Sequence, residues 1–169
     1  MEPVTSDIIK RVHMLFKNRA LTLSVAESCT GGLICHYLTS VPGASSFFRA
    51  GIISYSEDIK KNIIGVTSET IERFGVISDE TAREMAEKTR HISNTDCSLS
   101  TTGNIGPDVL EGKEKGLVYI AASTKERTIS RELKLKGDRE KNKAEAAREA
   151  LRLLIEIMKE GQGISAPAG

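Results

Sequence analysis

Apolar residues recur along the chain at two spacings, and each spacing predicts one type of secondary structure. Apolar residues at every second position are typical of strands, whereas a spacing of three to four residues is typical of amphipathic helices. The pattern predicts five strands, at residues 21–27, 50–55, 96–101, 117–123 and 128–135. It predicts helices that include residues 8–16, that begin at residue 30, and that cover residues 57–64, 68–74, 78–91 and 138–160.

The order of these elements predicts an open α/β sheet. Helices separate the first three strands, which can therefore run parallel. Only residues 124–127, which include Lys125, Glu126 and Arg127, separate the last two strands, and a parallel crossover needs about a dozen residues. We therefore expect a three-layer α/β/α sandwich with a mixed five-stranded sheet, one strand of which is antiparallel. Residues 1–160 are predicted to form a single domain, and residues 161–169 a tail without fixed structure.

The composition excludes several classes of protein. The 24 basic and 23 acidic residues give a net charge of +1, so neither nucleic acid nor a membrane surface is the expected partner. No apolar segment approaches the length of a membrane span, and the charged first 20 residues do not resemble a signal peptide. The 3 cysteines match no zinc spacing, which predicts free thiols, no metal site and a cytoplasmic location.

The first predicted strand ends in small polar residues, where the chain turns into a helix. Ser28, Cys29 and Thr30 precede Gly31 and Gly32. The N–H groups at a helix start favour an oxyanion or a phosphate, so an anion is expected at this turn or at the end of the third strand. The structural alternative is that Ser28 or Thr30 caps the helix while the glycines permit close packing. The residues by themselves leave both interpretations open.

The ends of the second and third strands also carry polar residues. Tyr55 ends the second strand and Lys60 follows it, and Thr102 and Gly103 come directly after the third. If the strands are parallel, these residues meet Ser28 at one edge of the sheet. The pattern alone favours a solvated helix lysine at Lys60 and a half-buried aromatic at Tyr55, and allows a simple turn at Gly103. In the helix after Tyr55, it predicts that Ile63 faces the core.

Taken together, these segments resemble the CinA C-terminal domain family. The resemblance spans roughly residues 6–158. Its motifs are AESCTGG at 26–32, GIISYS at 51–56 with Lys60 four residues on, GV at 65–66, GVIS at 75–78 and GDR at 137–139. It implies the three-layer fold and a homo-oligomer. It also implies hydrolysis of the carboxamide of nicotinamide mononucleotide, a small-molecule nucleotide substrate, to nicotinate mononucleotide and ammonia without a metal or cofactor.

The resemblance also implies roles for individual residues. Ser28 is the implied nucleophile and Lys60 its base, and lysine can serve as a base only when its pKa is lowered enough to leave it neutral. The implied substrate-binding residues are Cys29, Thr30, Gly31, Tyr55, Thr102, Gly103 and Lys143. The N–H groups of Cys29 to Gly31 would receive the oxyanion, and Tyr55 would lie near the pyridine ring. Cys29 remains an alternative nucleophile, because a thiol is intrinsically more reactive than a hydroxyl.

The chain departs from the family pattern in its substrate-holding half. Ile105 stands where the family usually has a small residue, Val109 and Leu110 replace paired glycines, and the loop over residues 104–115 is shorter. Lys143 stands where the family has an arginine, whose planar fork suits phosphate better. Two hypotheses follow: an amidohydrolase that acts on a nicotinamide nucleotide, or a catalytically silent relative that binds a nucleotide or a partner protein.

Overall fold

The protein is described by a computed structural model that covers residues 3–108 and 110–160. Its helices are α1 (Pro3–Arg19), α2 (Leu33–Thr39), α3 (Glu57–Ile59), α4 (Ser68–Phe74), α5 (Asp79–Ile92) and α6 (Arg139–Glu160), with a 3₁₀ turn at Ala44–Ser46 and a π-helical segment at Lys60–Ile64. Its strands are β1 (Leu23–Glu27), β2 (Phe48–Ile53), β3 (Cys97–Gly103), β4 (Leu117–Ser123) and β5 (Thr128–Lys134).

The predicted tail at residues 161–169 lies outside the described residues. No helix within the described ranges is both long and apolar enough to cross a membrane.

The five strands form one sheet in the order β2-β1-β3-β4-β5. Strand β1 pairs parallel with both β2 and β3. Strand β4 pairs antiparallel with both β3 and β5, and the tight connection between β4 and β5 is closed by the Thr124 N–H donating to the Arg127 carbonyl at 2.8 Å. The predicted mixed sheet with one antiparallel strand is therefore confirmed.

The two faces of the sheet pack against helices in different ways. Val25 of β1 and Leu99 of β3 point into the larger core, which α1, α2 and α6 complete. The opposite face carries small residues, and Ala121 packs there against Ala82 and Ala86 of α5. Because these side chains are short, α5 approaches the strands closely. Hydroxyls of β3 reach the α5 backbone: Ser98 donates to the Ala86 carbonyl and Ser100 to the Ala82 carbonyl, both at 2.5 Å.

Two glycines delay the start of the helix after β1. Gly31 and Gly32 have φ values of 56° and 94°, in the left-handed region that favours glycine. Helix α2 therefore begins at Leu33, three residues later than the predicted start at Thr30. The turn between Glu27 and Leu33 thereby stands clear of the helix, and its side chains are free to face the edge of the sheet.

The predicted helix after Ser56 changes its winding at Lys60. The Gly65 N–H donates to the Lys60 carbonyl at 3.1 Å, a contact that spans five residues and defines a π turn. The wider turn directs Lys60 inward, where it is only 2% exposed, and leaves Ile63 54% exposed. The prediction that Ile63 faces the core is wrong, because a 3.6-residue period does not describe a π turn. The prediction that Lys60 is solvated is also wrong, because it rested on the usual exposure of lysine side chains, whereas this one is buried.

Candidate active site

The ends of the three parallel strands converge at one edge of the sheet. The Ser28 N–H donates to the Thr101 carbonyl at 3.0 Å, which ties the turn after β1 to β3. The Ser54 N–H donates to the Glu27 carbonyl at 2.7 Å, which ties the residue after β2 to β1. These backbone bonds bring together segments that are far apart in the sequence, as the prediction from parallel strands requires.

At this edge, a lysine amine contacts a serine hydroxyl. The Lys60 Nζ lies 2.9 Å from the Ser28 Oγ and donates a second hydrogen bond to the Ser54 carbonyl at 2.8 Å. Ser28 is 8% exposed, so both partners are shielded from bulk water. The Ser54 carbonyl accepts one N–H of the Lys60 amine. A different side of the same nitrogen therefore faces the Ser28 hydroxyl.

Burial changes the protonation of Lys60. Desolvation lowers its pKa from 10.5 to about 8, although the nearby Cys29 thiol and the Glu111 and Glu57 carboxylates act in the opposite direction. At pH 7.5 a pKa of about 8 leaves about a quarter of the amines neutral. A neutral amine has a lone pair, so Lys60 can accept the proton of the Ser28 hydroxyl.

Burial shifts the pKa of the neighbouring Cys29 thiol in the opposite direction. Cys29 is 6% exposed, and burial raises its pKa to about 12. Near pH 7 it is therefore a protonated thiol, and the thiolate is the nucleophilic form of cysteine. Its side chain shares a hydrogen bond with Thr101, whereas the amine of Lys60 is bonded to Ser28. The geometry thus favours Ser28 over Cys29 as a nucleophile.

Glu27 organises the turn from within β1, a role that the sequence pattern did not reveal. Its side chain is fully buried, and the carboxylate accepts hydrogen bonds from Gly32 at 2.9 Å and Cys35 at 2.8 Å. A third bond, from the Ile34 N–H, measures 3.1 Å. Glu27 therefore satisfies three N–H groups at the start of α2, so the anion predicted at this turn would have to use other N–H groups of the turn. The one available signal was an acidic residue at the end of an otherwise uncharged strand.

The predicted oxyanion donors divide into two groups. The Gly31 N–H already donates to the Ser28 carbonyl at 3.1 Å. Among the described residues, no other residue accepts a hydrogen bond from the N–H of Cys29 or Thr30. Two of the three predicted N–H groups are therefore available beside the Ser28 hydroxyl. The Thr30 hydroxyl is not a helix cap, because it bonds to the Thr101 hydroxyl at 2.8 Å.

A pocket of about 330 Å³ opens beside Ser28. It is lined by Ser28, Cys29, Tyr55, residues 103–108, Leu110 and Arg139. Most of its wall therefore comes from the loop between β3 and β4, hereafter the β3–β4 loop. The volume lies at the lower end of the range that small-molecule sites occupy.

The structure places some of the predicted binding residues in this pocket and others outside it. Gly103 and Tyr55 line the pocket, and Tyr55 is 63% exposed. Thr102 is buried, and its hydroxyl donates to the Val76 carbonyl at 2.6 Å. Thr102 therefore packs beneath the pocket and does not line it. Lys143 lies beside the Ser28 turn, since a Cβ on Gly31 would be 3.3 Å from its Nζ.

Arg139 is a pocket residue to which the sequence analysis assigned no role. Its guanidinium donates to the Tyr55 hydroxyl at 2.8 Å and also to the Gly106 carbonyl. The Asp138 carboxylate next to it caps α6 by accepting the Lys141 N–H at 2.9 Å. The GDR motif at residues 137–139 was the available signal. Arg139 thus brings a positive charge to the pocket, on the first residue of α6.

No metal site is found among residues 3–108 and 110–160, because no three His, Cys, Asp or Glu side chains there are grouped to hold an ion.

Comparison with known proteins identifies the family. Residues 5–158 match the CinA C-terminal domain. The chain belongs to this family. Two solved structures share the fold over nearly their whole length. Competence/damage inducible protein CihA from Agrobacterium tumefaciens has a TM-score of 0.89 and is 31% identical, and the match covers 93% of this chain and 97% of that chain. A competence or damage-inducible protein from Enterobacter asburiae has a TM-score of 0.88 and is 30% identical, and the match covers 91% of this chain and 98% of that chain.

The curated relatives in this CinA family are longer than this chain. A competence-damage inducible protein from Thermoanaerobacter pseudethanolicus is 46% identical over 141 residues, which cover 83% of this chain and 34% of that protein. A protein of the same name from Bacillus subtilis is 34% identical over 155 residues, which cover 92% and 37%. The chain thus spans about a third of the length of these relatives.

Proposed function

We propose that this CinA domain hydrolyses an amide, and that its substrate is nicotinamide mononucleotide. The observation that carries the proposal is the 2.9 Å contact between the Lys60 Nζ and the Ser28 Oγ. A buried amine with a pKa lowered to about 8 is matched to its task as a general base near neutral pH. The three free thiols, Cys29, Cys35 and Cys97, are consistent with action in the cytoplasm.

The first half of the reaction forms an acyl-enzyme. Neutral Lys60 takes the proton of Ser28 while the Ser28 Oγ bonds to the carboxamide carbon, and the carbonyl oxygen becomes an oxyanion. We assign the N–H groups of Cys29 and Thr30 as the donors for that oxyanion, since neither donates to another described residue. The protonated Lys60 then gives its proton to the amide nitrogen as the C–N bond breaks. Ammonia leaves, and an ester to Ser28 remains.

The second half of the reaction restores the enzyme. Lys60 is neutral again once ammonia has left, and it takes a proton from a water molecule that attacks the ester carbon. The oxyanion forms at the same donors, and collapse of the intermediate breaks the bond to the Ser28 Oγ, which recovers its proton from Lys60. The products are free enzyme and a carboxylic acid, which passes its proton to the released ammonia to give a carboxylate and ammonium, so one water is consumed for each ammonia released.

Charge at the pocket supports a phosphorylated substrate. Arg139 lines the pocket, and the Lys143 Nζ is near the Ser28 turn. We assign both cations to the phosphate of the substrate and the exposed ring of Tyr55 to its pyridine. The family membership is consistent with a homo-oligomer, which we include in the proposal.

Ammonia release from nicotinamide mononucleotide tests the proposal. We expect the wild type and Cys29→Ala to release ammonia and nicotinate mononucleotide in equal amounts, and Ser28→Ala to release neither while unfolding at a similar denaturant concentration. Activity in Ser28→Ala with loss in Cys29→Ala would assign the nucleophile to the thiol and overturn the roles given above.

A second candidate function is ligand binding without turnover. The observation that favours it is Leu110, which lines the pocket and is 55% exposed where the family pattern has a glycine. A leucine at this wall could hold the carboxamide away from Ser28. Calorimetric binding of nicotinamide mononucleotide to the wild type, with no ammonia released and turnover gained in Leu110→Gly, would establish this alternative.

A further inference from the structure

One carboxylate of the β3–β4 loop, that of Glu111, joins the loop to the turn before α5. Glu111 Oε1 accepts the Val76 N–H at 2.9 Å, and Oε2 accepts the Ile77 N–H at 3.2 Å. The carboxylate also covers Gly75, because a Cβ there would lie 2.7 Å from Oε2. The φ of Gly75 is 84°, a backbone conformation in which a residue with a side chain would be strained. Two hydrogen bonds and a close contact therefore join this loop to the turn before α5.

The backbone around Glu111 adopts a conformation that the residue does not favour by itself. Its φ of 53° lies in the left-handed region, and the φ of Gly112 is 64°. Only glycine occupies that region freely, so the bonds of the Glu111 carboxylate must offset the cost. The adjacent residue, Leu110, lines the pocket. The conformation of Glu111 therefore decides where this part of the pocket wall lies.

The turn that receives Glu111 is firmly held. The Val76 carbonyl accepts the Thr102 hydroxyl at 2.6 Å, which fixes the turn to β3. The Gly75 carbonyl accepts the Thr81 hydroxyl at 2.7 Å, which fixes it to α5. The Val76 peptide unit thus links the buried Thr102 on one side to Glu111 on the other. A bond to this turn holds the loop against the sheet itself.

We propose that Glu111 is a positioning residue that fixes the pocket wall formed by the β3–β4 loop. Its effect on turnover rests on the proposed amidase function, whereas its effect on the loop does not. Glu111 acts on Lys60 as well, because its negative charge favours the protonated amine and raises the pKa of Lys60 against the lowering by burial. Cys29 and Glu57 are the other groups that raise the pKa of Lys60.

Hydrogen exchange tests the attachment without any assay of activity. In Glu111→Gln, the amide replaces one acceptor oxygen with a donor that faces an N–H, so at least one of the two bonds is lost. We expect the Val76 and Ile77 N–H groups to exchange about 10- to 100-fold faster than in the wild type, as loss of a charge-assisted bond predicts. Glu114→Gln, a change at an exposed carboxylate in the same loop, should leave both rates unchanged. Unchanged rates in Glu111→Gln would overturn the proposal.

Kinetics test the consequence for the pocket. In Glu111→Gln we expect KM for nicotinamide mononucleotide to rise about tenfold and the acid limb of kcat/KM to move to lower pH, because the charge that favours protonated Lys60 is gone. Glu111→Gly removes the cost of the positive φ, so the same rise in KM there would exclude misfolding as its cause. Faster exchange with unchanged KM would overturn the positioning role. A wild type that releases no ammonia would refute the amidase, and the exchange experiment would still decide whether Glu111 holds the loop.

Discussion

The Lys60 amine reaches the Ser28 hydroxyl at 2.9 Å across 32 residues of sequence. Three features produce this contact: β1 and β2 are parallel and end at the same edge, the π turn directs Lys60 inward, and the Ser54 carbonyl holds its nitrogen. An isolated buried lysine is costly, and burial is the main reason that the Lys60 pKa falls. The same burial gives the amine the basicity that amide hydrolysis near neutral pH requires.

The rate should follow the protonation of Lys60. Only the neutral amine can accept a proton, so kcat/KM for nicotinamide mononucleotide should rise about tenfold per pH unit below pH 8 and level off above it. Lys60→Met should lower kcat by about 10² to 10⁴. Lys61→Met, on the adjacent and more exposed residue, is the control and should keep the wild-type rate.

Ser28 and Lys60 should behave as one unit. Because each needs the other to form the nucleophile, a double variant with Ser28→Ala and Lys60→Met should be scarcely slower than either single variant. Steady-state ammonia release from the four proteins measures this directly. Losses that multiply in the double variant would mean that the two residues act in separate steps.

Burial of Lys60 should also appear in the pH dependence of stability. Its pKa is about 8 in the folded protein and 10.5 without burial, so between these values the unfolded chain binds more protons. The free energy of unfolding should therefore rise from about pH 8 to pH 10.5, by up to about 3 kcal/mol from this group. Urea titrations at pH 7.5, 9 and 10 should show this rise in the wild type and a smaller one in Lys60→Met. Equal slopes would contradict the lowered pKa.

Loss of the Glu27 charge should destabilise the turn that carries Ser28. Glu27→Gln keeps one acceptor oxygen for three N–H groups, and we expect it to cost roughly 2–4 kcal/mol of unfolding free energy. Glu72→Gln, at an exposed position on α4, should change it by less than about 0.5 kcal/mol. Denaturant titration compares the two variants, and a stability in Glu27→Gln equal to that of the control would show that the cap contributes little.

Arg139 should discriminate between substrates with and without a phosphate. Arg139→Gln should raise KM for nicotinamide mononucleotide about tenfold or more, because a charge-assisted bond to phosphate is lost. It should have little effect on the corresponding riboside. Arg49→Gln, at an exposed position on β2, is the control. An equal rise in KM for both substrates would place Arg139 away from the phosphate.

The sequence by itself determined the order of the elements, the antiparallel hairpin and the edge of the sheet where the polar segments meet. Those features follow from the spacing of apolar residues within each element and from the short connection between β4 and β5. Both can be recognised within one short stretch of sequence. The motifs at residues 26–32 and 137–139 also sufficed for the family resemblance.

Tertiary structure alone decided which polar side chains are free and which are already bonded. The Glu27 carboxylate bonds to the start of α2, the Thr102 hydroxyl to the Val76 carbonyl, and the Glu111 carboxylate to the turn before α5. Each of these side chains bonds to backbone groups whose positions depend on how the elements pack. The spacing of apolar residues in the sequence does not predict such contacts. Lys60 is the clearest case, because its inward direction depends on a π turn and its low pKa on the burial that follows. The sequence supplied the residues for the chemistry, and packing selected those that reach the pocket.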